Sequence, residues 1–382
     1  MRVDIHFYCA VPMTDPGLRG PAPTDRRYGN ADYIACYENL EHWAPIAESL
    51  GFDTFWLTEH HFQYEGYEVV PNLIQMGQHL ASLTSTIRFG QAFNVVPQWH
   101  PLRLAEDFAL ADILTRGRMV FGVGRGTVPR EAETLGAVVA SGDNEMAADR
   151  DRLNREIFEE AMEVIKLAWG SDRFSFTGKH FVLPPPGIPD RGSTVKDLSL
   201  VPRPLRPVEI FQPVTSPDTL EYVARVGHTA ILTGGPPERV GPQWDLVAER
   251  AAAHGRDLAP GEGRAFHLNA LVGRTTAEAI AVGRDPHDEY VKFLSPYGRF
   301  KHYPDAIEFE HRPTIEESMA FGSIAVGSVE QVADIVGGLI ERLSLRHLII
   351  FPDFPGLSRE QVDDQMHLLA NEVLPRVGVR MS

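Results

Sequence analysis

The chain has 382 residues, of which 43% are hydrophobic and 23% are charged, and its formal net charge is −16. These values are typical of a soluble globular protein, no run of eighteen apolar residues could span a bilayer, and the acidic balance argues against a nucleic-acid-binding surface. The first residues do not have the pattern of a signal peptide, and the cysteines are Cys9 and Cys36. We therefore expect a cytoplasmic protein without a disulfide framework.

Strand-like and helix-like segments alternate along the chain, which is the pattern of βα units around a parallel sheet. The predicted strands are 3–7, 52–58, 87–97, 117–124, 208–214, 228–234, 265–273 and 346–354. The predicted helices are 33–51, 102–115, 153–170, 216–227, 237–255, 328–343 and 359–375. A Pro-rich passage from Phe174 to Pro207 precedes the fifth strand. The polar, aromatic residues from about Gly283 to Gly322 are interpreted as an excursion with partial helix, inserted after the seventh strand.

Eight parallel strands separated by helices close most economically into a (β/α)₈ TIM barrel, so we predict a single barrel domain over residues 1–382. An open, doubly wound sheet is the alternative, and its dinucleotide fingerprint can be tested on the run from Gly122 to Gly126. Thr127 stands where G-x-G-x-x-G needs its third glycine, and the run follows the fourth strand instead of the first. The fingerprint fails. The barrel predicts that functional residues lie at the C-terminal ends of the strands.

Glu59, His60 and His61 follow the second predicted strand. Neighbouring strand residues point to opposite sides, so the two histidines are a poor pair of metal ligands, and no cysteine cluster or H-E-x-x-H motif supports a metal site. One histidine facing the barrel mouth would suit hydrogen bonding or proton transfer, because its ordinary pKa lies near neutrality. The pair could equally satisfy backbone groups at the strand end. This motif alone leaves both interpretations open.

Two further strand ends carry groups that suit a phosphate. Arg125 lies between two glycines, where a ligand can approach the backbone and a guanidinium can grip phosphate with two donors. Ser216 is placed as the N-cap of the following helix, with Thr219 in its first turn, and such a helix start binds anions. Each feature alone fits an ordinary turn or cap equally well. Together, on neighbouring strands of a barrel, they predict a phosphate anchor and a mononucleotide cofactor.

Several motifs, in the same order along the chain, resemble those of the bacterial luciferase-like flavin-dependent monooxygenases. They are GFDTFWLTEHHF at 51–62, TIRFGQAFNVVPQWHPLRLAEDFALADILTRGRMVFGVGRG at 86–126, GKHFVLP at 178–184, VTSPDTLEYVARVG at 214–227, VGSVEQV at 326–332 and HLIIFPDF at 347–354. The resemblance covers most of the chain. It implies a (β/α)₈ barrel, reduced FMN supplied by a separate flavin reductase, and O₂ activation through a flavin C4a-(hydro)peroxide that oxygenates a small organic substrate.

The resemblance also implies roles for individual positions. His60 matches the first histidine of the family's E-H-H motif, which has a catalytic role, and Glu59 belongs to the same motif at the flavin site. Ala92 and Phe93 match a non-prolyl cis peptide under the flavin ring. The remaining positions match residues around the flavin or its phosphate, namely Gly124, Arg125, Arg155 (with Arg152 as a rival), Thr215, Ser216 and Thr219.

Some positions depart from the family pattern. Gly124 stands where luciferase has a cysteine near the flavin, which argues against a light-emitting function. Pro184–Pro189 and the excursion do not match luciferase in detail, so we expect substrate specificity there, with the excursion as a candidate lid. The resemblance makes a homodimer the expected assembly. Hydride transfer with the deazaflavin F420, flavin binding without catalysis, and metal-dependent hydrolysis stay open as alternatives.

Overall fold

Eight parallel strands form a closed barrel in the computed structural model, which describes residues 1–140, 145–303, 306–308 and 310–381. The strands are β1 (Arg2–Phe7), β2 (Thr54–Leu57), β3 (Arg88–Gln91), β4 (Met119–Gly124), β5 (Ile210–Pro213), β6 (Thr229–Thr233), β7 (Arg264–Gly273) and β8 (His347–Phe351). Each strand pairs in parallel with the next, and β8 pairs with β1 to close the ring. The predicted (β/α)₈ barrel is therefore confirmed.

Helices connect the strands and cover the outside of the barrel. They are α1 (Asn30–Ser49), α2 (Leu73–Ala81), α3 (Pro101–Leu114), α4 (Pro129–Thr134), α5 (Glu145–Gly170), α6 (Pro217–Val226), α7 (Pro237–Ala253), α8 (Thr276–Leu294), α9 (Ile315–Phe321), α10 (Val329–Leu343) and α11 (Arg359–Leu368). Their starts follow from local sequence: Ser328, for example, caps α10 and forms a capping box with Gln331. Within the described ranges, no helix is long and apolar enough to cross a membrane.

Side chains fill the interior of the barrel below the strand ends. Trp56 is fully buried and donates a hydrogen bond from Nε1 to Asp4 Oδ2 at 2.7 Å, and Phe211 packs edge-on against its ring. Gly90 makes room for this indole, because a Cβ at that position would lie 2.4 Å from the Trp56 ring. The interior is thus a packed core, and open space occurs at the C-terminal mouth.

The segment inserted after β7 is bounded by a strand that the sequence analysis missed. Ile324–Ser328 pairs in parallel with the outer half of β7, from Asn269 to Gly273. Its short apolar run could not be distinguished from the start of the next helix. The excursion also differs from the prediction at its beginning, since α8 passes through Gly283 without a break. A Cβ there would lie 2.5 Å from Leu271 Cδ1, so glycine lets the helix pack closely against β7.

A buried ion cluster holds α8 against the N-terminal loop. Glu289 on α8 is fully buried, and its carboxylate accepts hydrogen bonds from Arg26 Nε at 3.1 Å and from Gly17 N at 2.8 Å. Lys292 Nζ lies 2.9 Å from the same carboxylate. These contacts fix the first part of the inserted segment to the barrel.

Candidate active site

A cavity of about 480 Å³ opens at the C-terminal ends of the barrel strands. Residues at the strand ends and in the loops directly after them form what we call the barrel wall, which includes Glu59, His60, Ala92, Phe93, Gly124 and Arg125. Residues from α8 to the strand Ile324–Ser328 form the insert wall, which includes His287, Tyr290, Phe300, Tyr303, Ser318 and Phe321. The predicted excursion therefore faces the site. The Pro-rich passage, which is fully described, contributes no lining residue, so the structure does not bring Pro184–Pro189 to the site.

His60 is held between two carboxylates at the junction of the two walls. Its Nδ1 donates to Glu131 Oε1 at 2.9 Å, and its Nε2 lies 3.0 Å from Glu68 Oε2. Burial disfavours the charged ring, but the carboxylates of Glu68 and Glu131 outweigh burial and raise the pKa of His60 to about 10. The structure therefore makes His60 an imidazolium at neutral pH, whereas the sequence analysis started from a histidine that titrates near neutrality.

Glu131 is a site residue that the sequence analysis missed. It lies on the short helix α4, it is 2% exposed, and it accepts a second hydrogen bond, from Gln63 Nε2 at 2.5 Å. Its carboxylate therefore fixes both the charge and the orientation of the His60 ring. In the sequence, Glu131 ends the stretch GVGRGTVPRE, which follows the fourth strand and therefore lies near the mouth. No spacing rule connects this glutamate to a histidine 71 residues earlier.

Glu59 and His61 form a separate pair next to His60. Glu59 Oε1 accepts a hydrogen bond from Val95 N at 3.3 Å and lies 3.4 Å from His61 Nε2. Its other oxygen, Oε2, is buried without a hydrogen-bond partner. His60 lines the cavity while His61 does not, so the adjacent histidines point in different directions. Among the residues that the structure describes, no three His, Cys, Asp or Glu side chains form a group that could hold a metal ion.

Two of the predicted phosphate-binding arginines converge on one carboxylate. Arg125 Nη1 donates to Asp151 Oδ1 at 2.9 Å, and Arg155 Nη2 lies 2.9 Å from Asp151 Oδ2. Burial raises the pKa of Asp151, but the two guanidiniums outweigh burial and lower it. Arg152 instead pairs with Asp149 on an exposed face. Arg155, and not Arg152, is therefore the arginine that lies beside Arg125.

The start of α6 lies beside these arginines. Ser216 Oγ accepts the Thr219 backbone N–H at 3.2 Å and lies 2.9 Å from Thr219 Oγ1. Arg155 Nη2 also reaches Asp218 in the first turn, at 3.2 Å. Thr215 and Thr219 line the cavity. The predicted serine cap, the two threonines and the arginine pair are therefore assembled at one edge of the barrel wall.

Phe93 covers the bare backbone of β4 in the barrel wall. The peptide bond between Ala92 and Phe93 is cis, as the resemblance implied. A Cβ on Gly124 would lie 3.2 Å from Phe93 Cβ, and one on Gly122 would lie 1.8 Å from the Gln91 carbonyl oxygen. These glycines let β3 and β4 approach closely, and no side chain from Gly124 enters the cavity beside the arginine anchor.

A pair of histidines at the base of the cavity was also missed. His6 Nδ1 lies 2.9 Å from His267 Nε2, and His6 Nε2 lies 2.8 Å from Thr58 Oγ1. Burial lowers the pKa of His267 to about 4, and burial together with His267 lowers that of His6. Both rings are therefore neutral at pH 7. The sequence did contain an indication of this pair. Polar residues at alternate positions of a strand lie on one face, and Asp4 and His6 share one face of β1.

The sequence matches a family model described as luciferase-like monooxygenase over residues 21–345. It is 29% identical over 217 residues to an uncharacterised protein of Sinorhizobium fredii, covering 56% of this chain and 55% of the relative. It is 26% identical over 201 residues to an F420-dependent glucose-6-phosphate dehydrogenase of Amycolatopsis mediterranei, covering 52% and 54%. It is 26% identical over 223 residues to the alkanal monooxygenase alpha chain of the Kryptophanaron alfredi symbiont, covering 58% and 56%. The chain spans about half the length of these curated relatives.

Solved structures resemble the fold over almost its whole length. A monooxygenase from Streptomyces bottropensis has a TM-score of 0.74 at 20% identity, covering 98% of this chain and 99% of that one. The oxygenating constituent of 3,6-diketocamphane monooxygenase from Pseudomonas putida, in complex with FMN, has a TM-score of 0.72 at 18% identity and full coverage of both chains. An F420-dependent secondary alcohol dehydrogenase has a TM-score of 0.66 at 15% identity, covering 99% of each chain. At these identities the likeness shows the fold alone.

The closed barrel with a cavity at the C-terminal ends of its strands defines the class of fold, a parallel (β/α)₈ barrel with its site at the mouth. The match over residues 21–345 covers most of the sequence. The chain belongs to the luciferase-like monooxygenase family.

Proposed function

We propose that the protein is the oxygenase component of a two-component, FMN-dependent monooxygenase that acts on a small organic substrate. The observation that carries the proposal is the assembly of Arg125, Arg155 and the start of α6 at one edge of the same cavity that His60 lines. The relative with FMN in its structure, described as an oxygenating constituent, has the same fold. In this proposal a separate flavin reductase supplies the reduced cofactor.

The residues of the barrel wall fit FMN. Two guanidiniums and the hydroxyls at a helix start are the donor set that binds a phosphate monoester. The space beside Phe93, which no side chain from Gly124 fills, suits a flat ring system. Asp151 then keeps the two arginines together, and it gives up part of its contact when a phosphate takes its place between them. Bound reduced FMN supplies the electrons with which O₂ is split between the substrate and water.

The His60 cluster, which consists of His60, Glu68 and Glu131, holds and transfers a proton. Glu131 and Glu68 are both buried and both line the cavity, and they keep the His60 ring charged and fix its orientation from its two nitrogens. His60 donates a proton to a group bound in the cavity, and the two carboxylates stabilise the charge that the ring carries before the transfer. The aromatic insert wall faces this region, and we expect it to shield the bound group from water.

F420-dependent hydride transfer is the second candidate, because a relative named for that cofactor matches the chain as well as the alkanal monooxygenase does. An imidazolium held by carboxylates would serve either chemistry. The two proposals differ in the cofactor that the arginine anchor accepts and in whether O₂ takes part.

The deciding experiment is an anaerobic titration of the purified protein with reduced FMN and, separately, with reduced F420, followed by rapid mixing with air. We expect tight binding of reduced FMN and, on mixing with O₂, a transient absorbance before oxidised FMN appears. Tight binding of F420 alone, or simple reoxidation without a transient under every condition, would reject the monooxygenase proposal. His60→Gln serves as the matched variant, since it keeps the binding site and removes the charged ring.

A further inference from the structure

The mouth of the cavity carries two positive charges that the proposed function does not use. Arg239, in the first turn of α7, and Arg299, between α8 and α9, both line the cavity. They occur in a chain with a formal net charge of −16. Burial and the charges of Lys301 and Arg239 lower the pKa of the neighbouring His302, so this ring is neutral at pH 7. The positive charge at this edge therefore comes from Arg239 and Arg299, which line the cavity, and from the neighbouring Lys301.

Neither arginine has an ion-pair partner among the described residues. Two acids of the adjoining helices are engaged elsewhere: Glu238, next to Arg239, pairs with Arg342, and Glu316 in α9 pairs with Arg284. The Arg239 guanidinium lies instead over the ring of Phe321, 5.1 Å from its centre. This contrasts with Arg125 and Arg155, which share the carboxylate of Asp151. Two unpaired guanidiniums at the edge of a cavity are a ready site for an anionic group.

The space beneath the arginines is lined by rings that carry polar atoms. Tyr290 packs at 5.4 Å from Phe354 and at 6.1 Å from Phe351, and Tyr303 packs at 4.4 Å from Phe321. Tyr8 also lines the cavity; the residue is 2% exposed, and its hydroxyl has no hydrogen-bond partner among the described residues. An unpaired buried hydroxyl costs free energy unless a ligand completes it. The chamber therefore suits a flat or compact body that carries a polar atom.

From these observations we propose that the substrate bears an anionic oxygen group, such as a carboxylate, sulfonate or phosphate. Arg239 and Arg299 bind this group at the mouth of the cavity, and the rest of the molecule lies against the insert wall. This inference rests on the proposed function and names the substrate class for it. The anionic end stays at the cavity edge, and the opposite end of the substrate reaches the His60 cluster. The two arginines are thus specificity-determining residues that lie apart from the cofactor anchor.

The test uses four small probes: phenylacetate, phenylmethanesulfonate and phenyl phosphate, with phenylacetamide as the neutral counterpart. Their affinities are measured by calorimetry for the FMN-loaded protein and for the protein alone. We expect at least one anion to bind about tenfold more tightly than the amide, which is the scale of a charge-assisted contact. Arg239→Gln and Arg299→Gln should each remove most of this preference. The exposed Arg376 lies outside the cavity, and Arg376→Gln should leave the preference unchanged.

Equal binding of the anions and the amide would overturn the inference, as would a preference that survives the double variant Arg239→Gln/Arg299→Gln. A loss of FMN or F420 affinity in these variants as large as the loss of probe affinity would also overturn it, because the charges would then serve the cofactor. Failure of the wild-type protein to bind FMN would reject the proposed function alone. The probe titration without cofactor still decides the inference in that case.

Discussion

The barrel wall and the insert wall enclose one cavity, but they use charge in opposite ways. In the barrel wall, Arg125 and Arg155 share Asp151, so each charge already has a partner. In the insert wall and at its edge, Arg239 and Arg299 have no carboxylate among the described residues. In our proposals the first arrangement holds an anchor for the cofactor phosphate, whereas the second leaves charge available for the substrate. The predictions below test this contrast, beginning with the largest expected effect.

The insert wall should depend on the buried cluster that holds α8. Arg26→Ala removes two hydrogen bonds from the fully buried Glu289 and should lower the free energy of unfolding by about 3 kcal/mol, since a buried carboxylate loses a main partner. Urea denaturation measures this loss. The control is Arg284→Ala, also on α8, which breaks an exposed pair with Glu316 of α9 and should cost about 1 kcal/mol or less. Equal losses would mean that the cluster does not anchor the segment.

Removal of a carboxylate at the junction of the two walls should lower the pKa of His60. Glu131→Gln removes one of the two carboxylates and should lower that pKa from about 10 by about 1–3 units, which is the usual effect of one close opposite charge. Titration of the His60 ring signals by NMR measures the change. The same titration of His60 in the wild type and in Glu131→Gln would contradict the role of Glu131 in keeping the ring charged.

The same ion pairs predict how stability depends on pH. Folding raises the pKa of His60 above its unfolded value of about 6.5, so the stabilisation is complete below that pH and is lost as the pH rises toward about 10. The difference in unfolding free energy between the wild type and His60→Gln should therefore be larger at pH 6 than at pH 9.5. A difference that grows with pH would contradict the assignment of a charged His60.

Substitution of an arginine in the proposed phosphate anchor should weaken cofactor binding. Arg125→Ala should weaken binding of reduced FMN by about 2 kcal/mol, roughly thirtyfold, on the scale of a charge-assisted contact. Arg152→Ala removes an exposed charge from the neighbouring helix and should leave FMN binding unchanged. Similar losses in both variants would indicate a general effect of net charge and would reject the phosphate anchor.

The smallest effect is expected at the start of α6. Ser216→Ala removes an N-cap and should lower stability by about 1 kcal/mol. Ser328→Ala removes the equivalent cap of α10, far from the arginine pair, and should have a similar effect on stability. Only the first change should weaken FMN binding, by about fivefold for a contact of about 1 kcal/mol. A matching loss in the Ser328 variant would show that helix stability, and not the Ser216 hydroxyl, controls binding.

The barrel fold and the composition of the barrel wall could be predicted from the sequence, because each motif directly follows a predicted strand. Arg125 and Ser216 come within three residues of strands that pair with each other, so the barrel fold alone brings them together. Arg155 could not be separated from Arg152, since a helix turn decides which one faces inward. His287 and Tyr303 come from the inserted segment, whose path depends on tertiary packing, and no local pattern places them at the mouth.

The two-stranded ladder between Asn269–Gly273 and Ile324–Ser328 has a consequence for divergence within the family. It pairs the strand at the end of the inserted segment with the outer half of β7, so the length and content of the chain between these two strands can change while the eight-stranded ring keeps its hydrogen bonds. Because the entropy of closing a loop grows only slowly with its length, such exchanges cost little stability. The inserted segment can therefore be exchanged as one module without change to the barrel wall that we propose binds the cofactor.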